Sequence, residues 1–225
     1  MTANRITKVK ICGNTSVEDA VMAARAGADA IGVINVANTK RYVDLADVKR
    51  IFEALPLFVS KVVVVTLDTM PVEAAYEQIK SIQRTGADCV QLHGEEPLEL
   101  VAGLRTRMNS SSRMQLIKKV GVTKSESIEK ALAYEPVADA ILLDTVAGVG
   151  AEIGGTGKEH DWSISKEIVA RVEKPVILAG GLNPGNVASA VAQVKPFAVD
   201  VSSGVESELR KKDAKKVKRF IDAVK

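Results

Sequence analysis

The feature that most constrains this chain is a regular alternation of strand-like and helix-like segments joined mostly by short loops. Eight such pairs run along the sequence, which is typical of βα units that build a parallel sheet. The predicted strands cover residues 8–12, 30–35, 61–66, 89–92, 115–119, 138–143, 176–179 and 197–199. A length of 225 residues suits one closed barrel. We therefore predict an α/β fold, the (β/α)₈ TIM barrel, with residues 1–225 in a single domain.

Residues that favour helix starts mark three of the outer helices. Thr15 and Glu18 match a T-x-x-E capping box, and Asn183 followed by Pro184 predicts an N-cap with proline in the first turn. Asp213 is expected to cap the last helix. Four apolar residues share one face of that helix: Val217, Phe220, Ile221 and Val224.

Two glycine-rich turns follow consecutive strands near the carboxyl end of the chain. They read Ala179-Gly180-Gly181-Leu182-Asn183-Pro184 and Asp200-Val201-Ser202-Ser203-Gly204-Val205-Glu206. Glycine lets backbone N–H groups approach an anion, and a helix start adds partial positive charge. Either turn alone is also explained as a left-handed turn after a strand. The pair, in the last two βα units, favours a site for the phosphate of a phosphorylated ligand.

Composition excludes several classes of protein. Aromatic residues make up only 4% of the chain, too few for base-stacking platforms. The net charge of +3 comes largely from the last helix, where a solvated face explains it better than a nucleic-acid patch. Two cysteines and two histidines lack metal-ligand spacing, so neither a metal site nor a haem site is expected.

The sequence carries no targeting signal that we recognise. Residues 1–7 lack the apolar segment of a signal peptide, and no apolar run is long enough to span a bilayer. We therefore expect a cytoplasmic protein that does not bind membranes. Whether it is a monomer or a homodimer stays open.

Side-chain alternation places candidate catalytic groups at the mouth of the barrel. The apolar residues of the first strand are expected to face the helices, which turns Lys10 and Cys12 inwards. A buried cysteine is often only a small apolar residue. Cys12, however, ends a strand, and Lys10 on the same face would favour its thiolate. Asp144 ends the sixth strand in the same way, with helix capping as the alternative.

Three more polar side chains are candidates for the same mouth, each with an alternative. His93 ends the fourth strand and would either contact a ligand or order neighbouring polar groups. Asp200 ends the eighth strand and would either hydrogen-bond a ligand or brace the turn after it. Arg41 suits two-point binding of a carboxylate, or is an ordinary surface arginine. The glycine-rich stretch 146–160, after Asp144, favours a lid over plain disorder.

Several motifs along the chain match those of one enzyme family. They are Lys10-Ile11-Cys12-Gly13, Val90-Gln91-Leu92-His93-Gly94-Glu95, Leu142-Leu143-Asp144-Thr145, Gly154-Gly155-Thr156-Gly157 with Asp161-Trp162, Ala179-Gly180-Gly181-Leu182 with Asn186, and residues 200–206. In this order they resemble phosphoribosylanthranilate isomerase of tryptophan biosynthesis. The resemblance implies Cys12 as general base, Asp144 as general acid and Arg41 as ligand of the anthranilate carboxylate. It also implies a phosphate site that includes Gly181, Ser203 and Gly204.

The implied reaction is an Amadori rearrangement of N-(5'-phosphoribosyl)anthranilate to 1-(2-carboxyphenylamino)-1-deoxyribulose 5-phosphate, without metal or organic cofactor. Asp144, if burial or substrate binding keeps it protonated, would protonate the ring oxygen and open the ribose to a Schiff base. The Cys12 thiolate would then take the proton from C2'. Binding the substrate at its phosphate and its carboxylate would hold C2' between the two groups.

One departure from the family pattern bears on the site, and two other functions stay open. Thr39 stands where many members carry serine before the arginine, which leaves the placement of Arg41 open. The related aminoimidazole ribotide isomerisation of histidine biosynthesis, alone or as a dual activity, shares fold and chemistry, but that family uses aspartate where this chain has Cys12. The third reading is a non-catalytic phosphosugar-binding barrel, against which the presence of both Cys12 and Asp144 argues.

Overall fold

The structure, a computed structural model, describes residues 6–111, 113–145 and 161–225. The barrel strands are β1 (Lys8–Ile11), β2 (Ala30–Ile34), β3 (Ser60–Val65), β4 (Cys89–Leu92), β5 (Gln115–Val122), β6 (Ala140–Thr145), β7 (Val176–Leu178) and β8 (Ala198–Val201). The helices are α1 (Val17–Arg25), α2 (Leu45–Glu53), α3 (Val72–Gln83), α4 (Leu98–Ser111), α5 (Glu126–Tyr134), α6 (Trp162–Arg171), α7 (Val187–Val194) and α8 (Ala214–Asp222). The eight strands pair in chain order, all parallel, and β8 pairs with β1. The predicted (β/α)₈ TIM barrel is confirmed.

Closure of the barrel brings the carboxyl ends of β1 and β8 side by side. Lys10 lies in register with Asp200, and the backbone N–H of Cys12 donates to the carbonyl of Val201 at 2.8 Å. Seven apolar side chains form a cluster inside the barrel: Val62, Cys89, Ile117, Leu142, Ile177, Ala179 and Ala198. A larger apolar shell packs between the sheet and the helices. Cys89 is therefore one of the residues that pack inside the barrel.

The cap of α1 differs from the prediction. Ser16 is the N-cap, and its hydroxyl accepts from the backbone N–H of Asp19 at 3.2 Å. The Thr15 hydroxyl instead donates to the carbonyl of Arg210 at 2.9 Å. The capping box of Thr15 and Glu18 is therefore wrong, because the threonine side chain ties this loop to the segment before α8.

The start of α7 also differs from the prediction, whereas that of α8 agrees. The Asn183 side chain accepts from the backbone N–H of Gly185 at 2.8 Å and closes a turn, so α7 begins only at Val187. The N-cap predicted at Asn183, with Pro184 in the first turn, is wrong for this reason. Asp213 caps α8 as predicted, through its side chain.

The segment after β8 is more elaborate than the sequence predicts. A 3₁₀ helix (Ser203–Val205) leads into an antiparallel hairpin of β9 (Glu206–Glu208) and β10 (Lys211–Lys212) before α8 begins. The lid predicted for residues 146–160 lies outside the described residues. Of the helices that the structure describes, none has the length and apolar character needed to cross a membrane.

Candidate active site

A cavity of about 260 Å³ opens at the carboxyl ends of the barrel strands. Parallel strands all end at this edge, so side chains that are distant in sequence meet there. All eight site candidates from the sequence line the cavity: Cys12, Arg41, His93, Asp144, Gly181, Asp200, Ser203 and Gly204. The residues predicted from strand alternation and those predicted from the glycine turns therefore lie around the same cavity.

Cys12 lies one residue beyond β1, with 6% of its surface exposed. Gly32 on β2 makes room for the thiol, since a Cβ there would lie 2.7 Å from Sγ. Burial raises the pKa of the Cys12 thiol, although the charge of Lys10 acts to lower it. Lys10 donates to Oδ2 of Asp200 at 2.7 Å in a buried ion pair. The expected effect of Lys10 is present but weaker than burial, so Cys12 rests as a thiol.

Asp144 lies on β6, which is separated from β1 by β7 and β8. Its Oδ1 accepts from the backbone N–H of Thr145 at 2.8 Å, and its Oδ2 lies 3.3 Å from Nε2 of His93. Burial alone would raise the pKa of Asp144, but the interaction with His93, the Thr145 N–H and the charge of Lys119 together outweigh burial, and the pKa lies below its ordinary value. Burial therefore does not keep Asp144 protonated, and the free protein holds a carboxylate.

His93 and Asp200 are both held by neighbouring polar groups. Nδ1 of His93 lies 3.0 Å from the amide Nε2 of Gln91 on β4, so the imidazole connects Gln91 to Asp144. Ordering of polar groups, one alternative for His93, is thus observed. Asp200 holds Lys10, and its Oδ1 has no hydrogen-bond partner among the described residues. Both side chains line the cavity, which leaves direct ligand contact open for each.

The two glycine turns lie against each other in the cavity wall. Gly180 and Gly181 have φ values of +82° and +66°, in the left-handed region that favours glycine. A Cβ on Gly180 would approach Oδ1 of Asp144 to 3.0 Å. A Cβ on Gly204 would overlap the carbonyl oxygen of Leu182. The turns therefore approach each other and Asp144 this closely only because these positions are glycine.

Two polar side chains shape the turns further. Asn186 accepts from the backbone N–H of Asn183 at 2.8 Å and donates to the carbonyl of Gly181 at 3.0 Å. The buried hydroxyl of Ser202 also lines the cavity, without a hydrogen-bond partner among the described residues. Asn186 thus holds the first turn in shape, and Ser202 adds an unpaired hydroxyl to the same wall of the cavity.

Arg41 is fixed at the cavity by an ion pair. Its Nε and Nη2 lie 2.7 and 2.6 Å from the two carboxylate oxygens of Glu206. Glu206 also accepts from the buried Nζ of Lys212 at 3.1 Å. Burial alone would raise the pKa of Glu206, but Arg41 and Lys212 hold it below its ordinary value. Arg41 is thus not an ordinary surface arginine, since only 12% of its side chain is exposed.

Sequence reasoning missed the roles of four residues that shape the site: Gly32, Gln91, Asn186 and Glu206. Gln91 was within reach, because strand alternation puts it on the same face as His93. A glycine inside a strand, such as Gly32, signals the close approach of another group without naming it. The pair of Arg41 and Glu206 joins residues 165 apart in sequence, which no local pattern reveals.

An eight-stranded parallel barrel with a thiol, a carboxylate and two glycine turns at one end defines the class of (β/α)₈-barrel enzymes, whose active sites lie at this end. The family model of N-(5'-phosphoribosyl)anthranilate isomerase matches residues 9–223. Relatives with that name from Methanocella arvoryzae and Aquifex aeolicus are 43% and 44% identical, each over 98% of this chain and 99% of its own length. The chain belongs to the N-(5'-phosphoribosyl)anthranilate isomerase family and is an enzyme, an isomerase of tryptophan biosynthesis.

Solved structures of the same family agree in fold. Phosphoribosylanthranilate isomerase from Thermotoga maritima superposes with a TM-score of 0.82 at 40% identity, covering 97% of this chain and 98% of that one. A phosphoribosylanthranilate isomerase in complex with reduced 1-(o-carboxyphenylamino)-1-deoxyribulose 5-phosphate gives a TM-score of 0.80 at 38% identity, with the same coverage. The family resemblance drawn from the motifs is confirmed.

Proposed function

We propose that this chain catalyses the Amadori rearrangement of N-(5'-phosphoribosyl)anthranilate to 1-(2-carboxyphenylamino)-1-deoxyribulose 5-phosphate, with Cys12 as general base and Asp144 as general acid. The reaction needs a proton donor at the ring oxygen and an acceptor at C2'. Cys12 follows β1 and Asp144 lies on β6, while the glycine turns follow the intervening β7 and β8. A thiol and a carboxyl group on the two sides of a wall formed by the glycine turns are the observation that carries the proposal.

The proton transfers balance without any change of oxidation state overall. Asp144 gives a proton to the furanose ring oxygen, the bond from C1' to that oxygen breaks, and the nitrogen lone pair forms the Schiff base. Cys12 takes the proton from C2', and the electron pair moves to give an enol. The enol then tautomerises to the ketone at C2'.

The resting protonation states are the reverse of those that the first step needs. Burial raises the pKa of the Cys12 thiol, and the hydrogen bond to His93 lowers that of Asp144, so the one proton that they hold together rests on sulfur. The active form has the same total charge and differs only in the position of that proton. A bound substrate that excludes water from Asp144 favours the transfer, because loss of solvent raises the pKa of a carboxyl group.

Two anchors would hold the substrate across this pair. The glycine turns would bind the ribose phosphate, and Arg41 would bind the anthranilate carboxylate. Glu206 fixes the guanidinium at the cavity before the ligand arrives, which reduces the cost of ordering it on binding. The unpaired Oδ1 of Asp200 suits a ribose hydroxyl. The proposed ligand contacts are Arg41, His93, Gly181, Asp200, Ser203 and Gly204.

A direct test follows the fluorescence of phosphoribosylanthranilate as purified enzyme consumes it. We expect saturable loss of the signal. The aminoimidazole ribotide substrate of histidine biosynthesis, assayed in parallel, distinguishes a single from a dual activity. Turnover of that substrate alone, or of neither, would reject the proposed reaction.

We also propose that two copies associate through the opposite end of the barrel. Large apolar side chains are exposed there, with Phe58 fully exposed and Leu57 at 85%. Phe58 and Phe197 border a cavity of about 370 Å³ at the amino ends of the strands. An exposed apolar projection beside a cavity on one face is self-complementary, as a two-fold dimer requires. The Thermotoga maritima relative is described as dimeric.

Light scattering during size exclusion tests this association with Phe58→Asp against a surface control, Lys49→Asp on α2. We expect the wild type and the control to run as dimers and Phe58→Asp as a monomer. A monomeric wild type at micromolar concentration would exclude the dimer.

Four other expectations stay predictions: the lid at residues 146–160, the cytoplasmic location, the single-domain organisation of residues 1–225 and turnover without a cofactor. Among the described residues, no cluster of histidine, cysteine and acidic side chains is arranged to hold a metal ion. Full activity after exhaustive treatment with a chelator is the outcome that turnover without a metal predicts, and full activity of dialysed enzyme in buffer and substrate alone is the outcome that turnover without an organic cofactor predicts.

A further inference from the structure

We infer that Gln91 is a positioning residue, whose amide fixes the imidazole proton of His93 on Nε2 so that His93 donates to Asp144. The inference rests on the proposed function only in giving Asp144 a catalytic role. Gln91 lies on β4 with 1% of its surface exposed, and it lines the same cavity. A glutamine this deep on the cavity side of a strand must satisfy its amide with protein or ligand groups.

The geometry selects one tautomer of the histidine. The amide Nε2 of Gln91 lies 3.0 Å from Nδ1 of His93, and an amide nitrogen only donates. Nδ1 is then the acceptor, so in a neutral imidazole the proton is on Nε2. Nε2 lies 3.3 Å from Oδ2 of Asp144, which can only accept while it is ionised. Each donor in this row faces an acceptor.

The opposite orientation of the amide would suit the opposite state of Asp144. If Gln91 presented its Oε1, that oxygen would accept from a proton on Nδ1. Nε2 would then face Asp144 with a lone pair, an arrangement that suits only a protonated carboxyl. Oε1 has no hydrogen-bond partner among the described residues, so rotation of the amide breaks no other bond to it. A side chain with a donor and an acceptor at one terminus can therefore serve both states, which leucine or methionine cannot.

The other charged groups near His93 and Asp144 do not fix the imidazole tautomer as Gln91 does. Lys119 acts on Asp144 only through its charge, and its ammonium group is 2.7 Å from Glu95. Beneath Gly94, Lys118 and Glu96 form a buried ion pair with each other. Among these described neighbours, Gln91 is the one whose hydrogen bond reaches Nδ1 of His93.

Nitrogen-15 NMR of the imidazole measures the tautomer without any turnover. The chain has two histidines, His93 and His160, so the signals of His93 are those lost in His93→Asn. We expect the wild type to carry its proton on Nε2. Gln91→Glu, an acceptor when ionised, should move the proton to Nδ1 or protonate both nitrogens, and Gln91→Met should give a mixture of tautomers. Gln115→Met, the same change at the amino end of β5, should leave the His93 signals unchanged.

Kinetics of the same variants separates this inference from the proposed function. We expect Gln91→Met to lower kcat by on the order of tenfold, because it removes the hydrogen bond that fixes the His93 tautomer facing Asp144, with less change in KM. A wild-type proton on Nδ1, or a tautomer that is the same in folded Gln91→Glu and Gln91→Met, would overturn the inference. A shifted tautomer with wild-type kcat would overturn the positioning role of Gln91, whereas the catalytic role of Asp144 is tested separately by Asp144→Asn.

Discussion

Replacing Gly204 with alanine tests whether the contact between the two turns forms the phosphate site. A Cβ at this position would overlap the carbonyl oxygen of Leu182 and would lie 3.1 Å from its carbonyl carbon and 3.2 Å from Cα of Asn183. These are backbone atoms, so no rotamer change relieves the overlap and the turns must move apart. Overpacking of this kind costs about 1–3 kcal/mol. Where the movement occurs in the turns themselves, the cost appears in ligand binding.

The expected result is a rise in KM with a smaller change in kcat. A loss of about 1.4 kcal/mol in binding is a tenfold change in affinity, so we expect KM to rise about tenfold. The proton-transfer groups are not displaced directly, and kcat should fall less than KM rises. Inhibition constants sharpen the test: a reduced product analogue with its phosphate should bind more weakly, and the same analogue without phosphate should bind as it does to the wild type.

Gly103→Ala is the matched control for this change. Its Cβ would meet only the Val72 side chain, at 3.1 Å, on the outer helices. We expect its KM to equal that of the wild type. A folded Gly204→Ala enzyme with unchanged KM and unchanged affinity for the phosphorylated analogue would refute the assignment of the turns.

Three further predictions concern the remaining parts of the site. Gly32→Ala puts a Cβ 2.7 Å from Sγ of Cys12, and steady-state kinetics should show kcat reduced on the order of tenfold by displacement of the thiol; an unchanged kcat would show that the thiol position is not critical. Glu206→Gln leaves Arg41 and Lys212 without a buried carboxylate, so urea unfolding should show a loss of about 3–5 kcal/mol. Arg41 and Lys212 hold the pKa of Glu206 below its ordinary value, so the stability from this carboxylate is present above the pKa of the unfolded state and is lost as pH falls through the pKa of the folded state. The unfolding free energies of wild type and Glu206→Gln should therefore become equal only in acid, and a difference that persists in acid would contradict this. Iodoacetamide should modify Cys12 faster as pH rises, because burial raises the pKa of the thiol, and a phosphorylated product analogue should slow the modification. A rate of modification that changes neither with pH nor with the analogue would reject a buried thiol at the site.

Local pattern was sufficient for the fold and for most of the cavity lining. Strand side chains alternate, and parallel strands end at one edge, so Cys12, His93, Asp144 and Asp200 could be placed together from their positions in the strands. The glycine turns were found because left-handed and crowded backbone positions restrict the residue type to glycine. In each case the physical constraint acts within a few residues of the chain.

The predictions that were wrong or incomplete depend on the folded surroundings of a residue, which local pattern does not describe. Thr15 and Asn183 both have side chains suited to helix capping, but their oxygens make other hydrogen bonds that depend on the folded surroundings. The influence of Lys10 on Cys12 was foreseen in sign, yet burial, which the sequence does not quantify, has the larger effect. The hairpin that supplies Glu206 and Lys212 follows a strand by only a few residues and carries no periodic signal.

Turnover by Cys12→Ser and Asp144→Asn tests the central claim most directly. Both proteins should fold and should bind the reduced product analogue close to wild-type affinity. Each should lower kcat by on the order of 10²-fold or more, the effect of losing one acid–base group. Cys89→Ser, a change to the cysteine that packs inside the barrel, serves as the control and should retain kcat. Near wild-type kcat in either Cys12→Ser or Asp144→Asn would contradict the assignment of that residue to proton transfer.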